Sequence, residues 1–282
     1  MIIMNIRGGM GNQLFQYALA YTLAKDQNTA MLQDLSQYAK GYFRGYQLDK
    51  FQISHKESFA VTDKNRLSSI LKRTVKIGRP YLFIKETKGY TTYDESVTVP
   101  RKISTYYMGL WQSNKYFDKY RGELAKEFQP NFTFSKAATD LKEKIVQDQE
   151  SVAVHIRRGD YIQVNGCISL NYYKEAISEI EKKWPKARFY FFSDDIEWVK
   201  NQFGSSEKFI YASDSERIND LEEFFIMSAA HKHIIANSTF SWWAAYLNLE
   251  KTNVVYAPEV ANWRGDFYPE EWNLIEAEIV KG

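Results

Sequence analysis

Residues 152–161 read Val-Ala-Val-His-Ile-Arg-Arg-Gly-Asp-Tyr. An apolar strand runs out of hydrophobic residues here and delivers His155, Arg157, Arg158 and Asp160 at its carboxyl end. The plan repeats downstream. Strands at 188–192, 208–212, 233–236 and 253–256 alternate with helices at 172–183, 196–203, 221–230 and 241–249, and Pro185 helps to end the first helix. Strands and helices alternating at this spacing imply a doubly wound α/β domain, a parallel sheet covered on both faces. Such a sheet binds its ligand beyond the carboxyl ends of the strands.

Toward the N-terminus, residues 2–6 form an expected strand, followed by a glycine turn, a helix over 12–25 and a strand near 30–35, which completes a βαβ unit. Residues 36–105 are less regular. The basic stretch 64–79 has the pattern of an amphipathic helix ended by Pro80, either a solvated face or a contact with an acidic membrane surface or partner. A helix is expected over 113–128 and a domain boundary at 130–135. The 282 residues then form two α/β domains, 1–132 and 133–282, facing across a cleft. A net charge of +2 argues against a general nucleic-acid binder. The single cysteine, Cys167, excludes an internal disulfide framework and lacks the neighbours of a zinc site. Neither a signal-peptide pattern nor an apolar run of ~20 residues is present, so the expected location is cytoplasmic, with peripheral contact at the inner face of the membrane open.

Four stretches carry chemistry. The pair Arg157 and Arg158 with His155 suits a pyrophosphate, because guanidinium donates in a planar, bidentate fashion and keeps its charge. On an extended strand the two arginines face opposite ways, so one meets phosphate and the other pairs with Asp160 or the sugar. A structural salt bridge at the strand end is the plainer alternative. In 233–247 a buried strand ends in Asn237-Ser238-Thr239-Phe240-Ser241 and a helix starts at once. Ser238, Thr239 or Ser241 can cap it, and its first N–H groups form an anion site. Residues 189–195 are another strand, ending in Ser193-Asp194-Asp195. Asp194 can accept from a ribose or base, and Asp195 can cap the next helix. No Asp-x-Asp occurs, which weakens any reading through a divalent ion. Finally, Arg7-Gly8-Gly9-Met10-Gly11-Asn12-Gln13 is again strand, glycine turn and helix. Gly9 and Gly11 permit close backbone approach to a ligand, and Asn12 and Gln13 supply donors.

Taken together, residues 8–17, 155–161, 192–195 and 234–243 resemble the bacterial α-1,2-fucosyltransferases of glycosyltransferase family 11. The resemblance spans nearly the whole chain, although 36–105 carries no matching motif and acceptor choice is expected to be settled there. It implies a GT-B-type fold of two Rossmann-like domains, the N-terminal one on the acceptor side and the C-terminal one holding GDP-β-L-fucose. It implies metal-independent transfer of fucose, with inversion, to the 2-hydroxyl of a terminal galactose on an oligosaccharide or lipid-linked glycan. By the same resemblance Arg157 engages the β-phosphate and Asp160 is catalytic, our first choice of general base. Glu223, with Glu222 as the fallback, reads guanine, and His155 supports the base. The rival readings are a fucosyltransferase with a different acceptor and a non-catalytic GDP-sugar or glycan-binding protein.

Overall fold

The structure is a computed structural model that describes residues 1–42, 44–60, 81–214, 216–250, 252–260 and 265–281. The basic stretch 64–79 lies outside the described residues. The chain divides into two compact units, Met1–Phe132 with Gly265–Pro269, and Thr133–Arg264 with Glu270–Gly282. The five residues 265–269 thus depart from the expected single division at 132/133. Phe267 is fully buried, with its ring 6.2 Å from that of Phe15. Asp266 accepts from the Tyr93 N–H at 2.9 Å and pairs with Lys115 Nζ at 2.6 Å. Burying one phenylalanine contributes roughly 1.5–3 kcal/mol toward holding the segment, beside the Asp266 bonds.

The first unit is built on five parallel strands, β1 (Ile2–Asn5), β2 (Met31–Asp34), β3 (Ser58–Phe59), β4 (Tyr81–Lys85) and β5 (Ser104–Met108), in the order β3-β2-β1-β5-β4. The helix Met10–Asp26 joins β1 to β2 and is buried on nearly every side, including Gln13, Gln16 and Thr22. The helix expected over 113–128 is instead two 3-10 turns, Asn114–Tyr116 and Asp118–Tyr120, followed by an α-helix at Arg121–Glu127. Phe117, at φ −143°, breaks the helical path while its buried ring packs 5.9 Å from Phe15.

The second unit has a six-stranded, wholly parallel sheet, ordered β12-β11-β10-β6-β8-β9. Its strands are β6 (Ser151–Ile156), β8 (Arg188–Ser193), β9 (Phe209–Tyr211), β10 (Lys232–Ile234), β11 (Val254–Glu259) and β12 (Asn273–Glu276). A short antiparallel pair, β7 (Cys167–Ile168) with β13 (Ile279–Val280), lies apart from it. The chain winds outward from β6 through β8 to β9, then returns to the other side of β6 and proceeds through β10, β11 and β12. That is the doubly wound order, and its reversal falls between β6 and β10, where such sheets bind ligands. One face of the sheet, with Val152, Val154, Ile156, Phe189, Phe191 and Ile234, packs with Tyr172, Tyr173, Ala176, Ile177 and Ile180 of the helix Leu170–Lys183. The alternate residues Ala153, His155 and His233 therefore turn to the other face.

Candidate active site

Strand register builds the site. Ile156 of β6 lies opposite Ser193 of β8, so the next residues along, Arg157 and Asp194, meet just beyond the strand ends. Arg157 Nη1 pairs with Asp194 Oδ2 at 2.9 Å. Its other edge belongs to Asp160, whose Oδ1 accepts from Nε at 3.1 Å and from Nη2 at 2.7 Å. Burial opposes a charge on Arg157, but the two carboxylates outweigh it and hold the guanidinium pKa above its usual value. Asp194 also accepts from the Arg158 N–H at 2.8 Å. Gly159 makes this approach possible: a Cβ there would stand 2.4 Å from Asp194 Oδ2. Asp194 therefore serves as a post for Arg157 and the turn after β6.

Arg158 lies two residues beyond the end of β6, at φ −128° and ψ −68°, and pairs with Asp195 where Asp160 or the sugar was expected. Its guanidinium lies 3.5 Å from the centre of the Trp198 ring, and its Nε bonds Asp195 Oδ2 at 3.1 Å. Asp195 caps the helix Ile196–Phe203 by accepting from the Trp198 N–H at 3.3 Å. The alternatives of cap and salt bridge thus both apply, at Asp195 and Arg158. Trp198 escaped the sequence reading, although its place in the first turn after an aspartate cap marks a side chain able to cover the strand end.

His155 is 5% exposed, with its ring 5.7 Å from that of Phe240. Burial, reinforced by the Arg157 charge, pushes its pKa down to about 3. Burial thus favours the neutral imidazole. Its buried Nδ1 has no hydrogen-bond partner, and neither does Asn237 Oδ1 at the end of β10. Asn237 is otherwise engaged: Nδ2 donates to the Gly166 carbonyl at 3.0 Å, and its own carbonyl accepts from the Tyr161 hydroxyl at 3.0 Å. These bonds tie the 157–166 turn to the strand across the reversal point.

Ser238 caps the helix Thr239–Tyr246, its hydroxyl accepting from the Phe240 N–H at 3.4 Å. The helix start, with Thr239, Phe240 and Ser241, stands at the carboxyl end of β10, where an anion gains from the helix dipole. Trp242 and Trp243 are fully buried, so the tryptophan pair is core.

Of the two glutamates, Glu222 is spent on structure. Its Oε2 accepts from the Asn219 N–H at 3.0 Å in a capping box, and its Oε1 accepts from the Ser135 N–H at 2.5 Å. That leaves Glu223. Burial pushes its carboxyl pKa up to about 7, a hydrogen bond from Ser213 opposes the rise, and the Asp220 and Asp194 charges add to it. The Ser213 hydroxyl also accepts from the Ser193 N–H at 2.9 Å, so one residue links β8 to Glu223. Ser213 was missed in the sequence, yet it follows β9 as Ser193-Asp194 follows β8, the same strand-end signal.

In the first unit the glycine turn is chiefly architectural. Gly8 has φ +84°, and a Cβ there would fall 2.6 Å from Asn12 Nδ2. Asn12 Oδ1 accepts from Gln112 Nε2 at 2.8 Å. Gln13 is fully buried and consumed by backbone: Nε2 donates to the carbonyls of Gly8 at 3.1 Å and Gly45 at 3.0 Å, and Oε1 accepts from the Gln47 N–H at 2.8 Å. It is therefore a loop anchor, which corrects its assignment as a ligand donor. Gly9 precedes the helix and has the Arg44 guanidinium beside it, whereas Gly11 is buried in the first turn.

A family model, Glycosyl transferase family 11, matches residues 1–276. The chain belongs to glycosyl transferase family 11. The family 11 chain is 31% identical to an Escherichia coli protein named alpha-1,2-colitosyltransferase, over 98% of this chain and 99% of that one. It is 30% identical to the E. coli O-antigen biosynthesis glycosyltransferase WbnK, over 90% of this chain and 92% of the relative. Among solved structures, the fucosyltransferase NodZ from Bradyrhizobium shares its fold at a TM-score of 0.50 and 11% identity, covering 86% of this chain and 91% of that one. The expected GT-B-type fold class accordingly holds. Among the described residues, no helix is long and apolar enough to cross a membrane.

Proposed function

We propose that this glycosyltransferase moves L-fucose from GDP-β-L-fucose to the 2-hydroxyl of a terminal β-galactose, with inversion and without a metal ion. The observation that carries the reading is Arg157, held between Asp160 and Asp194 at the reversal point of the second sheet. In the reaction the C1–oxygen bond to the β-phosphate breaks and negative charge builds on the departing GDP. The guanidinium and the Ser238-capped helix start suit that charge, and such fixed donors are worth on the order of 10²–10³ in rate each. The acceptor oxygen bonds C1 from the opposite face and gives its proton to Asp160. Glu223 in its ionised form suits the adjacent N1–H and 2-amino donors of guanine.

The relatives' names support a 1,2-linkage and an O-antigen setting, which fits a lipid-linked glycan acceptor met from the cytoplasm. The colitosyltransferase favours a second reading on one point: colitose is fucose without its 3-hydroxyl, so a GDP-linked colitose is the second donor to test. Turnover with GDP-fucose, GDP-colitose, GDP-mannose and UDP-galactose on one galactoside decides this. Use of either GDP-linked 6-deoxy sugar, lost in Arg157→Ala that still binds glycan, supports the enzyme reading. Turnover of UDP-galactose alone would sink it.

A further inference from the structure

The two carboxylates on Arg157 differ in exposure and in the element that carries them. Asp194 is the better held: its side chain is 26% exposed, it bonds the Arg158 N–H as well as the guanidinium, and the missing Cβ of Gly159 lets it sit close against the turn. Asp160 is looser, 43% exposed, and belongs to a helix of five residues, Gly159–Gln163. With a single oxygen it occupies the Nε/Nη2 edge of Arg157, the edge best shaped to grip two oxygens of a phosphate.

Resting on the nucleotide-sugar reading above, we propose that Asp160 is an exchangeable partner of Arg157: the donor's β-phosphate takes its seat on the Nε/Nη2 edge, and the displaced carboxylate becomes the base for the acceptor hydroxyl. Asp194 stays in place throughout and is a positioning residue that aims the guanidinium. While Asp160 Oδ1 holds the Nε and Nη2 protons of Arg157 it is occupied, and displacement makes it available to the acceptor hydroxyl. Donor binding thus arms the base, and acceptor deprotonation follows donor entry. Asp160 competes with the phosphate, whereas Asp194 assists it.

The test is calorimetric titration of the full chain with GDP, alongside donor and acceptor kinetics. Asp160→Asn and Asp160→Ala should each bind GDP up to about fivefold more tightly, the range of a half-exposed ion pair, while kcat falls about 10²-fold for want of a base. Asp194→Asn changes charge by the same amount but should weaken GDP by about tenfold. Gly159→Ala, which displaces Asp194 without changing charge, should weaken it in the same direction. Unchanged or weaker GDP binding in both Asp160 variants overturns the exchange. Equal tightening in the Asp160 and Asp194 variants would reduce the effect to net charge and overturns it too. Failure of the unaltered protein to bind GDP would instead overturn the nucleotide-sugar reading, and this inference with it.

Discussion

Glu223 offers a prediction with a worked magnitude. Its carboxyl titrates at about 7 in the fold against an ordinary 4.5, chiefly because it is buried. The neutral form is therefore favoured in the folded state. Below pH 4.5 the group is protonated in both states and costs nothing. As pH rises the unfolded chain releases its proton first, stability is lost between 4.5 and about 7, and the penalty is then constant. Linkage puts the cost at about 1 kcal/mol at pH 5 and about 3 kcal/mol at pH 8. Glu223→Gln keeps the shape and a partner for Ser213 but cannot ionise. Urea unfolding of both proteins across pH 5–8 should show the variant gaining about 2 kcal/mol on the parent over that interval. A difference that stays flat with pH, or that favours the parent at pH 8, would refute the claim that burial holds this carboxyl near neutrality. GDP affinity should move oppositely, rising with pH through 7 in the parent and not in the variant, because guanine needs the ionised form.

Gly159→Ala should cut turnover at least about tenfold by driving Asp194 from the Arg157 charge, with its melting transition nearly unmoved; a fully active variant would contradict the contact. Arg157→Lys should lose on the order of 10²-fold in kcat, since an ammonium cannot reproduce the two-edged bonding, and near-normal kinetics would refute that geometry. Asn219→Ala removes the capping box and should cost about 1 kcal/mol in unfolding experiments while donor KM stays constant; a large KM change would return Glu222 to the binding site.

The second domain was legible because its signals are local. Buried parallel strands are continuous apolar runs, and β6, β8 and β10 end abruptly in polar residues, so their carboxyl ends stood out. Which of those polar groups meet was not legible. The Arg157–Asp194 contact follows from the register of β6 against β8, set by packing between segments 37 residues apart. The neutral state of His155 likewise depends on burial supplied by Phe240, from a distant helix. Gln13 misled because an amide at a helix start looks the same whether it faces a ligand or, as here, the carbonyls of Gly8 and Gly45. In the first domain β3 has two residues, and β4 exposes Leu82 and Phe83, so neither shows the buried run that marks a central strand. The return of 265–269 depends on Phe267 finding Phe15, which nothing near 267 announces.

One incubation tests the fucosyl transfer. Purified protein, GDP-fucose and lactose are combined in excess EDTA and the product is examined by NMR. The account predicts fucose α-linked to the 2-hydroxyl of galactose, formed at an undiminished rate. GDP-fucose that is neither consumed nor bound, with or without a divalent cation, would contradict it.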